Sequence, residues 1–264
     1  MSNIETTQQN TESDIKSVQN LRIKVTSPCY DDIGKVLDQL GVNYHPFNGD
    51  FNCDILFLNC GTGDSIDYSQ LKSFVENGGV LYASDLTSSH LLGTWPGLMT
   101  VTNQTVACKI RADVVDADLR RYIGSTVDVE FDLSVWSKIV KTTQGKVLMQ
   151  SAAERFPIMM EFEIGRGKCF YTSFHNHAQT SEMERDLLQL LVIKQISAAT
   201  DLDFQKTMDI LSLSLKPSET VSTGTSESPV GGFSSIVAKW KTGNDAKTQT
   251  VEEKADDIGS KWKK

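Results

Sequence analysis

Short apolar runs separated by amphipathic stretches are the feature that most restricts the folds open to this chain. The run CDILFLNC at residues 53–60 is almost continuously apolar and is bounded by turn residues. A strand of that composition is typical of a parallel sheet whose two faces are both buried. LRIKVTS at 21–27 and VLYASD at 80–85 are similar runs, and VNYHPF at 42–47 predicts a further short strand.

The segments between these runs have the periodicity of helices that pack on a sheet. Ile33, Val36, Leu37 and Leu40 recur at helical spacing before a glycine that ends the pattern. A strand that alternates with such a helix favours parallel pairing through right-handed crossovers. The sequence therefore predicts an α/β fold, flavodoxin-like and doubly wound, with a mostly parallel sheet.

The second half of the domain departs from this simple alternation. Residues 95–135 contain extended segments with only short helical ones, and they predict an insertion or a covering layer. The turn at 165–168 predicts an antiparallel hairpin. A strong helix is predicted over 181–199, where Ser181 and Glu184 have the spacing of a capping box.

Composition divides the chain into a central domain and two polar ends. Residues 1–20 are predicted to be a disordered arm, and residues 21–200 the α/β domain. The stretch 201–264 is rich in Ser, Thr, Gly and Pro and predicts a mostly disordered tail, because it has little apolar surface to bury.

One apolar patch interrupts this tail at residues 231–241. Its apolar residues are spaced by three, four and seven, as on one face of a short helix that docks in the groove of a partner protein. The alternatives are that the patch packs back on its own domain or arises by chance. The candidate docking residues are Phe233, Ile236, Val237 and Trp240.

Charge and cysteine usage exclude several classes of protein. The 264 residues carry a formal net charge of −8, with a pI of about 5.1, and a nucleic-acid binder needs a basic face instead. The sequence shows no apolar run long enough for a membrane span and no secretory signal. Five cysteines form no zinc-binding motif. We therefore expect reduced thiols, a cytoplasmic location, no cofactor and no metal.

Ligands of an open parallel sheet bind where the carboxyl ends of the strands meet the loops. Several loop residues at these ends are candidates for ligand binding. The loop that begins at Gly61 could cradle an anion, but it lacks the known phosphate-binding patterns and contains Asp64, so a purely conformational role of its glycines is favoured. The candidate ligand-binding residues are Gly61, Thr62, Ser84 and Glu154.

His175 and His177 follow a predicted strand and are two residues apart. In an extended segment their side chains would point the same way. Two imidazoles could bind a metal ion with a third ligand from Asp85 or Glu154, or one could act as an acid or base near neutral pH. A hydrogen-bonded structural role for at least one of them is the favoured interpretation.

Two segments resemble a known superfamily. VENGGVLYASDLTSSHLL and, much later, GRGKCFYTSFHNHAQTSEMERDLLQLLV are similar to the class I glutamine-amidotransferase-like proteins, including their trehalose-utilisation-protein-like branch. The resemblance covers roughly residues 21–198. In that family one strand ends in a sharp turn that carries the nucleophile, and a late strand delivers a histidine in an FHPE-like motif.

The resemblance assigns roles to individual residues. His175 stands at the position of the catalytic histidine, and His177 stands where the family has its acid. Asp85, or alternatively Ser84, occupies the place of the nucleophilic cysteine. Cys60 ends the preceding strand rather than the turn and is a poor substitute. Since attack on an amide by a cysteine needs a thiolate at the turn, glutaminase chemistry is not expected.

Two classes of function remain. The favoured hypothesis is a non-catalytic amidotransferase-like module that acts as a protein-interaction or scaffold protein, or that binds a small ligand, with a tail that docks a partner. The alternative is a hydrolase-type enzyme that uses Asp85 and His175, with His177 as a further candidate, on a small polar substrate.

Overall fold

Within the apolar run at residues 53–60, Ile55–Leu58 form a fully buried strand of a nine-stranded mixed sheet. The computed structural model describes residues 12–214 of the chain. One half of the sheet is parallel and has the order β2-β1-β3-β4-β11. Its strands are β1 (Ile23–Val25), β2 (His45–Pro46), β3 (Ile55–Leu58), β4 (Val80–Ser84) and β11 (Gly167–Thr172).

This order is that of a flavodoxin-like sheet, in which the chain reverses its winding direction between β1 and β3. The carboxyl ends of these two strands therefore flank a crevice where ligands of such folds bind. The predicted doubly wound α/β fold is confirmed.

Four of the strands between β4 and β11 in sequence extend the sheet in antiparallel fashion, in the order β11-β10-β9-β6-β7. They are β6 (Cys108–Val114), β7 (Thr126–Phe131), β9 (Lys146–Ser151) and β10 (Pro157–Ile164). The hairpin that joins β10 to β11 turns at Gly165, whose φ is 62°, as the sequence predicts.

The region 95–135 is therefore only partly a covering layer, because β6 and β7 belong to the main sheet. A separate two-stranded sheet of β5 (Met99–Gln104) and β8 (Trp136–Thr142) does cover part of the main sheet. Val101 and Ile139, paired across this small sheet, pack on the core cluster that contains Leu56 and Leu58 of β3.

Helices lie on both faces of the sheet. The helices are α1 (residues 12–19), α2 (Gly34–Gln39), α3 (Tyr68–Glu76), α4 (Ser88–Thr94), α5 (Ala117–Ile123), α6 (Glu182–Thr200) and α7 (Phe204–Ser214). Leu71 of α3 and Leu91 of α4 pack with Leu56 and Leu58, whereas the buried residues of α6 lie outside that cluster and α6 contacts β3 and β4. α6 thus covers the opposite face, and its capping box of Ser181 and Glu184 is present as predicted.

Both predicted ends of the domain need correction. Residues 12–19, assigned to a disordered arm, form α1, with Ile15 and Val18 half-buried on one side and Asp14 paired with Lys206 of α7. Residues 204–214, assigned to the tail, form α7 because Phe204 and its apolar neighbours at helical spacing are buried. The arm at 1–11 and the tail at 215–264 lie outside the described residues.

No helix within residues 12–214 combines the length and the apolarity that crossing a membrane requires.

Candidate functional site

Asp85 occupies a sharp turn between β4 and α4. Its φ is 44°, a left-handed conformation that costs a non-glycine residue about 1–3 kcal/mol. The surroundings hold it there: the Tyr171 hydroxyl donates to the Asp85 carbonyl oxygen over 2.8 Å, and the Ser137 amide donates to Asp85 Oδ1 over 2.6 Å. A strained strand-to-helix turn is the geometry that presents nucleophiles in α/β hydrolases. Of the two residues that the resemblance offered for this position, Asp85 and Ser84, it is Asp85 that lies at the turn.

His175 lies between two carboxylates in the loop after β11. Its Nε2 is 2.9 Å from Asp85 Oδ2, and its Nδ1 is 3.0 Å from Asp132 Oδ1. The contact with Asp85 is close, yet the ring N–H and the carboxylate oxygen are not aligned as a hydrogen bond. Gln179 holds the loop, since its amide nitrogen donates to the His175 carbonyl oxygen over 3.0 Å.

Cys60 lies beside Asp85 and His175 and forms a group of three residues with them. Its Sγ, a carboxylate oxygen of Asp85 and a ring nitrogen of His175 all lie within 4.8 Å of one another, and all three residues are buried. These are residue types that bind metal ions. Sequence reasoning dismissed Cys60 because it lies outside the turn. The signal that could have found it is the pairing of neighbouring parallel strands, which places the residues after β3 beside those after β4.

A second buried carboxylate, Asp31, ties this loop cluster to the end of β1. Its Oδ1 accepts hydrogen bonds from the amides of Asn176, over 2.7 Å, and His177, over 3.3 Å. Its Oδ2 accepts a hydrogen bond from the Ser84 hydroxyl. Asp31 is not among the site residues predicted from the sequence, although it lies four residues after the predicted strand at 21–27.

Asn59 fixes the neighbouring strand end. Its side-chain oxygen accepts from the Ile33 amide over 3.0 Å, and its side-chain nitrogen donates to the Thr26 carbonyl oxygen over 2.8 Å. These bonds satisfy backbone groups of the loop between β1 and α2. The side-chain amide of Asn59 therefore helps to position the loop that carries Asp31.

The buried charges shift one another's pKa values. Burial lowers the pKa of His175, but the side-chain contacts with Asp85, Cys60 and Asp132 and the charge of Asp31 outweigh this effect and raise the pKa to about 11. Burial raises the pKa of Asp31 to about 6, against the opposing influence of His175, Ser84 and two backbone amides. Burial also raises the pKa of the Cys60 thiol, which its contact with His175 partly offsets.

His177 does not join the group. The chain turns at 176–178 instead of remaining extended, so the expectation that both histidines point the same way is wrong. The His177 side chain is exposed, whereas His175 is only 2% exposed. Only the backbone amide of His177 contributes, through its bond to Asp31.

The predicted ligand-binding residues divide between the site and its surroundings. Ser84 lies in the site through its bond to Asp31. Glu154 is exposed and pairs with Lys138, and no contact within residues 12–214 joins its side chain to Asp85 or His175.

The hydrogen-bond donors around the loop that begins at Gly61 are already used by the carboxylate of Asp64. Gly61 has a φ of 75°, and a Cβ there would lie 2.4 Å from a ring carbon of Tyr30. The Thr62 hydroxyl donates to Asp64 Oδ2 over 2.9 Å, and the Ser27 amide donates to the same oxygen over 2.6 Å. An anion would have to displace this carboxylate, so the geometry favours the conformational role of the glycine. The docking residues Phe233, Ile236, Val237 and Trp240 lie outside the described residues.

Of the comparisons with known proteins, the one with solved structures gives matches. No family model matches it, and no curated protein matches it. A GMP synthase-type protein from Thermoplasma acidophilum is 13% identical, with a TM-score of 0.48 over 69% of this chain and 96% of that one. A ThuA-like protein from Bacteroides uniformis is 10% identical, with a TM-score of 0.48 over 68% and 91%.

A β-galactosidase from Bacillus circulans sp. alkalophilus matches with 9% identity and a TM-score of 0.48 over 69% of this chain. The chain spans only 31% of the length of that enzyme. At these identities the likeness concerns the fold alone.

Proposed function

We propose that this protein is a non-catalytic amidotransferase-like module that acts as an interaction or scaffold protein, and that its C-terminal segment docks a partner. The observation that carries the proposal is the enclosure of the group at the strand ends. Asp85 and Cys60 are 0% exposed and His175 is 2% exposed. Catalysis requires that reacting groups face a space that a substrate can enter.

The contacts of Asp85 point the same way. Its Oδ1 and its carbonyl oxygen accept hydrogen bonds from Ser137 and Tyr171, and its Oδ2 faces His175. Asp85 therefore joins three parts of the domain: its carboxylate contacts the small sheet and the loop after β11, and its main-chain carbonyl oxygen contacts β11. These contacts support a role of Asp85 in holding strand ends together rather than in attacking a substrate.

The thiols support the same proposal. The turn carries Asp85 where the resemblance implies a nucleophilic cysteine. Cys60, the nearby thiol, is enclosed, and its pKa is raised by burial. Amide hydrolysis by a cysteine uses an accessible thiolate of lowered pKa. A glutaminase activity is accordingly not part of the proposal.

Support for the docking role comes from the sequence. Phe233, Ile236, Val237 and Trp240 have the spacing of one apolar helical face within a polar segment. Aromatic side chains of this kind dominate the free energy of many protein interfaces. We therefore assign partner binding to this peptide.

A hydrolase is the second candidate function. The φ of 44° at Asp85 and the 2.9 Å contact with His175 favour it, because a strained turn beside a histidine is a nucleophile arrangement. Such an enzyme would need an opening of the loops that enclose this pair.

The docking role is tested by affinity capture from native cell extract with the full-length chain. The paired substitutions Phe233→Ala and Trp240→Ala should abolish retention of a stoichiometric partner. The control pair Ser234→Ala and Ser235→Ala lies in the same peptide and should retain it. Equal retention by both paired variants would contradict the docking role.

Asp85→Asn separates the two candidate functions. A binding module should keep its partner affinity in this variant, measured on the folded protein. A panel of esters, amides and phosphate esters should show no hydrolysis by the wild-type chain. Turnover that Asp85→Asn abolishes would overturn the non-catalytic proposal in favour of the hydrolase.

A further inference from the structure

Three neighbouring strands deliver three potential metal ligands to one point. Cys60 follows β3, Asp85 follows β4 and His175 follows β11, and these strands are adjacent and parallel. The ligand atoms Sγ, carboxylate oxygen and ring nitrogen all lie within 4.8 Å of one another. Because each ligand sits next to a buried strand, the group is held by the rigid part of the fold.

Two of these atoms lack a hydrogen-bond partner although they are deeply buried. Asp85 Oδ2 and His175 Nε2 lie 2.9 Å apart as a close charged contact, and neither atom takes part in an aligned hydrogen bond within residues 12–214. Buried polar atoms without partners are rare in folded proteins. A metal ion placed between them and the Cys60 sulfur would satisfy both at once.

The remaining atoms of two ligands are already fixed. His175 Nδ1 contacts Asp132 Oδ1 over 3.0 Å, and Asp85 Oδ1 accepts from the Ser137 amide over 2.6 Å. Metal-bound histidines typically donate their second nitrogen to a carboxylate, which fixes the tautomer that offers Nε2 to the ion. Asp132 is suited to this positioning role.

We infer that Cys60 Sγ, Asp85 Oδ2 and His175 Nε2 form a binding site for a zinc ion, with Asp132 as a positioning residue. Thiolate and imidazole ligands favour zinc over magnesium or calcium, which bind oxygen. Ligand atoms of a tetrahedral zinc ion are about 3.3–3.6 Å apart, as follows from the usual bond lengths. Asp85 and His175 would separate by a few tenths of an ångström, and a water molecule would take the fourth position.

Such a site goes beyond the proposed function and does not depend on it. It also departs from the expectation, drawn from the sequence, that the chain binds no metal. The metal site weighed from the sequence used both His175 and His177, with Asp85 or Glu154 as the third ligand. The His177 side chain is exposed and Glu154 pairs with Lys138, so in the inferred site Cys60 joins His175 and Asp85 instead.

The test is metal titration of the full-length protein after removal of metals with a chelator. Wild-type protein should bind one zinc ion per chain and should unfold at a higher temperature with zinc than without. Cobalt in place of zinc should produce a thiolate-to-cobalt charge-transfer band. Cys60→Ser should lose this band and bind zinc more than about 100-fold more weakly. Cys53→Ser, a buried thiol outside the group, should retain both properties.

Asp132→Asn keeps the inference testable if Cys60→Ser fails to fold, because the Asp132 side chain is 36% exposed and its replacement by an amide of the same shape should leave the fold intact. Zinc affinity should fall by about 10- to 100-fold in this variant, and the cobalt band should persist. The inference is overturned if the wild type retains no equimolar zinc, if the cobalt band survives in Cys60→Ser, or if Asp132→Asn binds zinc with unchanged affinity. None of these outcomes bears on the docking of a partner.

Discussion

The backbone amide of Ser137 donates a 2.6 Å hydrogen bond to Oδ1 of Asp85. Ser137 belongs to β8, so this bond joins the inserted two-stranded sheet to the turn after β4. A second link, 3.2 Å between the hydroxyls of Ser88 and Ser137, joins the same strand to the start of α4. The insertion thus fixes the orientation of the Asp85 side chain toward His175, and the two parts of the domain should be energetically coupled.

We expect Asp85→Asn to destabilise the metal-free protein by about 2 kcal/mol. The amide oxygen preserves the bond from Ser137, but the charge that faces His175 is lost. Urea denaturation in the presence of chelator measures the change in the free energy of unfolding. Ser89→Ala, an exposed hydroxyl on α4, serves as the control and should change it by less than about 0.5 kcal/mol. Equal stability of both variants would contradict the assigned role of the carboxylate.

Gly167 should tolerate no side chain. A Cβ at this first residue of β11 would lie 2.2 Å from the carbonyl oxygen of Val75 and 2.3 Å from that of Gly79. Backbone atoms have little room to move, so Gly167→Ala should lower the free energy of unfolding by about 3 kcal/mol. Gly63→Ala, which meets nothing within 4 Å, is the matched control and should be nearly neutral. Chemical denaturation of the two variants decides whether this close approach exists.

The hydropathy pattern of the sequence predicted the strands next to the site better than it predicted the residues that form the site. The apolar runs before Asp85 and His175 identified β4 and β11 correctly, because burial on both faces leaves a clear sequence signal. Asp132 escaped prediction because it follows β7 and meets His175 from 43 residues away in sequence. The prediction that His177 points the same way as His175 failed for a different reason. Side chains two residues apart share a face only while a strand continues, and here the chain turns after His175.

Asp116 should make stability depend on pH in the acid range. It caps α5 through its bond from the Leu119 amide, and it pairs with Lys146 over 2.6 Å and with Lys194 over 3.1 Å. Burial raises the pKa of Asp116, but these partners outweigh burial and the pKa is lowered overall. A lowered folded-state pKa contributes stability above the unfolded pKa of about 3.9 that is lost as the pH falls through the folded value.

Asp116→Asn should therefore destabilise the protein by about 3 kcal/mol at pH 7, and this difference should shrink below about pH 4. Paired denaturation curves of wild type and variant at pH 7, 5 and 3 measure it. Asp128→Asn, at an exposed position of β7, is the control. A difference that stays constant down to pH 3 would show that the ionised carboxylate is not the stabilising species.

The helix α7 should be an integral part of the domain, although its sequence directly precedes a polar segment. Phe204, Met208, Ile210 and Leu211 are buried, and the Phe204 ring lies 5.8 Å from that of Tyr122. Met208→Ala removes a buried side chain and should cost about 2–4 kcal/mol. Asp209→Ala changes the next, exposed residue and should cost less than about 0.5 kcal/mol. If urea denaturation gives both variants the same free energy of unfolding, α7 is not an integral part of the domain, and the assignment of residues 204–214 to the tail would be correct.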